Sequence, residues 1–283
     1  MVIVYAVQTN QCSVSILDRV NNLDGRFGKF KRVVTKPRPN FGEDLERAGV
    51  YYWGDKSIIW DDMCDVSDTY WNDLGAMEIA DKATEAKALE ATTNLHGMML
   101  EAVDQVVNDD KLLKLFSIPQ LLWEPIKKSW KEKQPDFQGR FDFTWDKNGN
   151  IKMLEYNGDT PSLAIETSDA SEKWAKDRFG DKKTQSNYYR YLMERQFKNI
   201  IDSGCRKVGF AALAQDDENT AVMNFYRKAF KGVGGKVIYG DISDLKINQC
   251  KDGCTKASWN LAGKEVDCVL SLYPKEWLAT EIS

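Results

Sequence analysis

The stretch GRFDFTWDKNGNIKMLEYNGDTPS, residues 139–162, constrains this chain most, because side-chain alternation and a turn signal together define a β-hairpin down to its register. Phe141, Phe143 and Trp145 alternate with Asp142, Thr144 and Asp146, the period of two expected of a strand with one buried face. Asn148-Gly149 follows, and that pair best tolerates the positive φ angles of a two-residue type I′ turn. Centring the turn there pairs Lys147 with Asn150, Asp146 with Ile151, Phe143 with Leu154, Asp142 with Glu155, Phe141 with Tyr156 and Arg140 with Asn157. One face then carries Phe141, Phe143, Trp145, Leu154 and Tyr156, a core face. The other carries Arg140, Asp142, Glu155 and Asn157.

Residues directly opposed in such a pair hold their Cβ atoms about 4.5–5.5 Å apart, and like charges so placed repel. A hard divalent cation such as Mg²⁺ offsets that repulsion and takes carboxylate and amide oxygens, which Asp142, Glu155 and Asn157 supply. Arg140, next along the strand, has the planar fork that grips a phosphate or carboxylate. A solvated hairpin face on which Arg140 and Lys152 dilute the acids accounts for the same residues. Spacing alone leaves both readings open.

The rest of the composition narrows the class. A chain of 283 residues, 42% hydrophobic and 29% charged, is that of a globular protein with room for one large or two ordinary cores. The net charge of -4 and the lack of a dense Lys/Arg block argue against a nucleic-acid partner. No apolar run approaches the roughly 20 residues that span a bilayer, and the start MVIVYAVQTN lacks the form of a signal peptide. The expectation is a cytoplasmic protein with no membrane partner, in which Cys12, Cys64, Cys205, Cys250, Cys254 and Cys268 are free thiols. Cys250 and Cys254 lack further ligands nearby for a zinc site. The single histidine, His96, falls on a helical stripe with Leu89, Thr93, Leu100, Val103 and Val107 and reads as a packed helix residue, which disfavours Ser-His-Asp or Cys-His catalysis.

Along the chain, the pattern predicts a short strand at 2–7, a long helix over 78–107, two short helices over 112–130 punctuated by Pro119 and Pro125, and helices at 162–178 and 184–202. Beyond Cys205 the order changes to strand 207–213, helix 219–231, strand 236–239 and strand 266–273, the alternation of a small unit with a parallel sheet. Neither GxGxxG nor GxxxxGK[ST] is present. The fold class is therefore α/β (α+β), with a division into an accessory segment 1–50, a helical and hairpin core 51–204 and a small α/β unit 205–283.

The same hairpin stretch resembles the signature of the glutathionylspermidine synthase family, in which a G-R-x-D-F strand precedes L-E-Y-N-x-D-T/S-P/A. YYWGDKSIIW, EATTNLHGMMLEAVDQVV, VGFAALAQDDENTAVMNFYRKAF and LSLYPKEW are similar to other parts of that family, so the resemblance runs over about residues 50–283. It implies an ATP-grasp-like synthetase with a Rossmann-like pre-ATP-grasp unit. Such an enzyme activates a carboxylate as an acyl phosphate with ATP and Mg²⁺ and passes the acyl group to an amine. In the type reaction the acid is the thiol peptide glutathione and the amine is the polyamine spermidine. By resemblance, Asp142, Glu155 and Asn157 are the metal ligands and Arg140 steadies the phosphoryl group. Asp159, Thr160 and Ser162 fall at the glutathione positions, and Asp217 and Glu218 form an acidic pair for tripeptide and polyamine. The last two also read as ordinary acids of a helix first turn, and Thr160 and Ser162 as turn and cap residues around Pro161.

Family members continue past L-Y-P-x-E-W into a half that grips ATP, whereas this sequence stops at Ser283. Three readings stay open: a portion of a longer ligase, a chain working with a separate ATP-binding lobe, or a degenerate relative with a binding or structural role.

Overall fold

The computed structural model describes residues 3–4, 30–34, 36–54, 70–71, 73, 75–79, 82–146, 148–180, 189–248 and 258–281. In chain order these form β1 (Ile3–Val4), β2 (Phe30–Val34), α1 (Phe41–Ala48), β3 (Gly75–Ile79), α2 (Lys82–Val107), α3 (Asp110–Leu115) and α4 (Trp123–Lys131). There follow β4 (Arg140–Trp145), β5 (Ile151–Asn157), a π-turn (Glu166–Ala170), α5 (Ser171–Phe179), α6 (Tyr189–Asp202), β6 (Lys207–Ala212) and α7 (Asp217–Gly232). The chain closes with β7 (Lys236–Asp241), β8 (Leu245–Asn248), β9 (Ser258–Leu261), β10 (Lys264–Val266), β11 (Cys268–Ser271) and α8 (Lys275–Glu281). Two compact units result, one of Met1–Asn94, Arg140–Tyr156 and Ile165–Asn187, the other of Leu95–Gly139, Asn157–Ala164 and Tyr188–Ser283.

In the first unit β4 lies between β1, to which it is parallel, and β5. Its inward residues Phe141, Phe143 and Trp145 are buried, as the alternation requires. The turn differs from the expected one. Asp146 N–H donates to Asn150 O (2.9 Å) and Gly149 N–H to Asp146 O (2.9 Å), so Asp146 pairs with Asn150, and Gly149, at φ 78°, takes the left-handed conformation that Asn148 does not share. The Asp146 carboxylate is the cause: it accepts from the backbone N–H groups of Asn148 and Asn150 and from the Asn150 amide, drawing the loop one residue wider. Carried on unchanged, that register would put Tyr156 on the face opposite Phe141. Instead the two rings stack, centroids 4.3 Å apart, so Phe141 and Tyr156 share a face, as the sequence register has them. Leu154, expected on the core face, is 52% exposed, as is most of edge strand β5.

A charged cluster closes the same unit. Arg38, 8% exposed, donates from Nη2 and Nε to Asp73 and from Nη1 to Asp177 (2.7 Å) and Asp44 (3.4 Å), while Lys173 and Arg178 add cations around the same acids. Burial disfavours a charged Asp73, but hydrogen bonds from the Arg38 side chain and backbone and from Trp71, with the Arg38 charge, hold its carboxyl below the usual range. On the π-turn, Glu166 Oε1 accepts from the hydroxyls of Tyr52 (2.5 Å) and Tyr70 (2.8 Å), and its buried Oε2 has no hydrogen-bond partner among the described residues.

The second unit is organised by β6, which is parallel to both β11 and β7 in the order β11-β6-β7, the parallel sheet expected from the sequence. The segment KVGFAA has no polar residue after Lys207 because both faces of the strand are covered. On one, Phe210 meets Phe197 of α6 and Phe230 of α7. The other offers only Gly209 and Ala211, and Leu261 of β9 fills the space: a Cβ at Gly209 would come within 3.2 Å of it. The antiparallel sheet β10-β9-β8 that delivers Leu261 was not legible in the sequence, its strands being only three or four residues long. Its β9–β10 turn, at Ala262 (φ 49°) and Gly263 (φ 77°), is the two-residue kind expected instead at Asn148-Gly149.

Three further expectations change. Residues 75–79 form β3, paired with β2, so the long helix starts at Lys82 rather than near Glu78. The stripe of Leu89, Thr93, His96, Leu100 and Val103 is exposed, and Val107 alone of that set is buried, because α2 turns Thr84 and Ala88 inward instead. Finally, Cys205 and Cys268 are not free thiols but a disulfide with Cα atoms 5.7 Å apart, brought together because β11 runs beside β6 from its first residue. Cys12, Cys64, Cys250 and Cys254 lie outside the described residues.

Reduction should lower stability measurably. Closing 63 residues of sequence constrains the unfolded chain by on the order of 4 kcal/mol, so dithiothreitol should depress Tm in the parent and leave a Cys205→Ala, Cys268→Ala double variant unaffected. The Arg38 cluster sets an acid limit: with the Asp73 carboxyl depressed in the fold, its stabilisation is present above the ordinary carboxylate pKa and lost as pH falls through the lower folded value. Arg38→Met should cost about 3–5 kcal/mol in urea titrations at pH 7, the penalty for a buried acid stripped of its partner, and less at a pH where Asp73 is protonated.

Candidate functional site

The hairpin supplies one group of candidate residues. Ring stacking of Phe141 on Tyr156 turns the neighbouring side chains, Asp142 and Glu155, to the opposite face of the hairpin, where Arg140 also lies. Arg140 Nε donates to Asp142 Oδ1 (2.8 Å) and Nη2 to Asp142 Oδ2 (3.3 Å), a fork-shaped pair with side chains 11% and 16% exposed. The arginine expected to meet a phosphate therefore holds the carboxylate two residues on. Glu155 is exposed. Asn157 ends β5 and folds back on the next turn: its Oδ1 accepts from Thr160 N–H (3.1 Å) and its Nδ2 donates to Thr160 O (3.3 Å).

All donors in this set are hard oxygens, the chemistry that suits Mg²⁺ rather than a soft metal. Among the described residues no three His, Cys, Asp and Glu side chains gather into a metal cluster. The set has two carboxylates and an amide, a sparse protein contribution of the kind Mg²⁺ accepts when phosphate oxygens complete its shell.

A second group of candidate residues belongs to the α/β unit and is described by itself. The chain leaves β6 for β7 on one side through α7 and later returns to β11 on the other, so strand order reverses at β6. The crevice at the carboxyl ends of two strands flanking such a reversal is where open α/β sheets take ligands. After β6 come Asp216, which caps α7 by accepting from Asn219 N–H (2.9 Å), and then Asp217, exposed, and Glu218, half-buried, in the first helical turn. After β11 comes Lys275, the first residue of α8. Its Nζ donates to Asp159 Oδ1 (3.0 Å) and its backbone N–H to Asp159 Oδ2 (2.9 Å). Asp159, Thr160 and Ser162 are thereby tied to the same edge of the sheet as the segment after β11.

Sequence reasoning missed the residues behind this loop. Gln138 donates to Pro161 O (3.2 Å), and its side chain bonds with the hydroxyls of Tyr189 and Tyr226, which are 3.1 Å apart. The one signal was general: a buried tyrosine needs a partner for its hydroxyl, and both tyrosines lie on the inward stripes of their helices.

The family model described as glutathionylspermidine synthase pre-ATP-grasp matches residues 32–283. A Haemophilus influenzae protein named an acid–amine ligase is 28% identical over 257 residues, 88% of this chain and 61% of that protein. Trypanothione synthetase of Crithidia fasciculata is 40% identical over 127 residues, 44% of this chain and 19% of its own. The bifunctional glutathionylspermidine synthetase/amidase of Escherichia coli is 40% identical over 95 residues, 33% and 15% of the two chains. The chain thus spans less than two thirds of each of these relatives. Among the described residues no helix is long and apolar enough to cross a membrane. With its hairpin signature, its parallel unit and a family match over 32–283, the chain belongs to the glutathionylspermidine synthase pre-ATP-grasp family.

Proposed function

We propose that this chain carries the metal-binding and acid-binding portion of an ATP-dependent carboxylate–amine ligase. The acid is a glutathione-like thiol peptide and the amine a polyamine. In this reading a carboxylate oxygen of the acid attacks the γ-phosphorus of ATP and ADP leaves. The amine nitrogen then attacks the acyl carbon, phosphate departs and the nitrogen loses a proton. Asp142, Glu155 and Asn157 would hold Mg²⁺, which supplies charge neutralisation at the phosphates when bound. Arg140 steadies the transferring phosphoryl group, Thr160 and Ser162 meet the acid, and Asp217 and Glu218 draw in the polycation by Coulomb attraction. ATP-gripping residues are assigned to no position here; a separate lobe or a further part of the protein would bring them. The reaction is placed in the cytoplasm, although the Cys205–Cys268 disulfide removes two of the six cysteines from the argument for a reducing compartment.

The observation that carries the proposal is the Arg140–Asp142 pair (2.8 Å) on the same hairpin face as Glu155. Two acids on one face need a cation. As it stands, Arg140 serves Asp142; a metal taken up by the acids would release its guanidinium toward phosphate. The same pair also supports a second reading, a binding or structural protein without catalysis, because the arginine alone neutralises Asp142.

Thermal melts separate the two. Under the ligase reading Mg²⁺ with a nucleotide should raise Tm in proportion to occupancy, about 2.7 kcal/mol of stabilisation at a hundred times the dissociation constant, and Asp142→Asn or Glu155→Gln should abolish the shift while leaving the protein folded. Ligation of glutathione to spermidine by the full-length gene product should fall at least about a hundredfold in either variant, as when a preorganised electrostatic group is lost. Unchanged Tm with Mg²⁺ and ATP, together with no ADP release in the presence of both substrates, would favour the structural reading.

A further inference from the structure

We propose that Gln138 and Lys275 are positioning residues, fastening the 159–162 loop at two points so that Thr160 and Ser162 face the acid substrate in a fixed arrangement. The inference rests on the ligase reading for the word substrate, but the fastening itself stands on geometry within one unit.

Lys275 is fully committed. Besides Asp159 Oδ1 at 3.0 Å, its ammonium donates to Ser271 Oγ (3.2 Å), Ser271 O (3.5 Å) and Tyr273 O (3.0 Å). Three N–H groups shared among those acceptors pin the ammonium over the carboxyl end of β11. Asp159 closes the bridge with its second oxygen on Lys275 N–H (2.9 Å), in the manner of a residue capping α8. An Asp159 so engaged acts on substrate through the loop it anchors.

Gln138 is keyed as tightly. The Tyr189 hydroxyl donates to Gln138 Oε1, and the Gln138 amide donates both to the Tyr226 oxygen and to Pro161 O (3.2 Å). The Tyr189 and Tyr226 hydroxyls lie 3.1 Å apart, which closes a ring of polar contacts around the amide. Flipping the amide would set its oxygen against Pro161 O, which has no proton to give, so the side chain has one orientation. Desolvation by burial, with the nearby Tyr226, holds the Tyr189 hydroxyl well above its ordinary pKa, which keeps it a donor. Between the two fasteners, Thr160 N–H is taken by Asn157 Oδ1 (3.1 Å), so the loop is also tied to a proposed metal ligand.

The test uses Gln138→Glu, which keeps the acceptor for Tyr189 and loses the donor to Pro161, and Lys275→Met, with Lys275→Arg as the conservative control. Hydrogen exchange of a peptide covering 157–163 should speed up by about tenfold in Gln138→Glu and Lys275→Met, the weight of one hydrogen bond, while a β6 peptide keeps its protection. In the full-length protein, KM for glutathione should rise about tenfold with kcat changed less than about twofold, and Lys275→Arg should recover most of the loss. Unaltered loop exchange in both variants would overturn the proposal, and so would a KM that stays at the parent value in an active enzyme. Faster loop exchange in both variants, with a full-length parent that ligates nothing, would uphold the fastening and dismiss the ligase reading alone.

Discussion

A strand buried on both faces has no surface of its own, so whatever it contributes to chemistry must happen at its end. β6 is such a strand. Phe210 commits one face to the aromatic packing with Phe197 and Phe230, and the Gly209–Ala211 side is claimed by Leu261. Covering both faces requires the chain to pass to one side of β6 and come back on the other, and that passage creates the reversal of strand order. The acids opening α7 and the lysine opening α8 emerge at that edge because the core leaves them nowhere else to go.

Two ion-pair arrangements in the hairpin-bearing unit contrast usefully. Around Arg38, three acids and three bases are mutually matched in charge, with Asp73 and Arg38 buried at the centre. On the hairpin, one arginine serves one aspartate while Glu155 stands exposed on the same face. The first pattern resists change. The second leaves a carboxylate in contact with solvent beside a paired one.

Much of this was legible from residues. Strong alternation at Phe141, Phe143 and Trp145 found β4, and the unbroken apolar run at β6 found the parallel sheet. The signature around Glu155 and Asp159 pointed to the family that the matched span 32–283 shows. What failed did so for local reasons. Asn148-Gly149 carries the stronger two-residue turn signal, yet the carboxylate of Asp146 outcompetes it, while Ala262-Gly263 makes that turn without advertising it. Helical spacing placed His96 on a stripe but could not say which stripe of α2 turns inward. Pairings distant in sequence, such as Gln138 with Tyr226 or Lys275 with Asp159, leave no trace in any local window.

The covalent link between Cys205 and Cys268 gives the unit one more property. All of β6, α7, β7, β8, β9 and β10 lie between the two cysteines, so this stretch is a closed ring of chain. A protease that cuts once anywhere inside it severs a peptide bond without releasing a fragment. The two halves stay tethered at the base of the sheet, and the effective concentration of each for the other remains that of a single molecule. Nicking and dissociation are therefore separate events here, and only reduction makes them one.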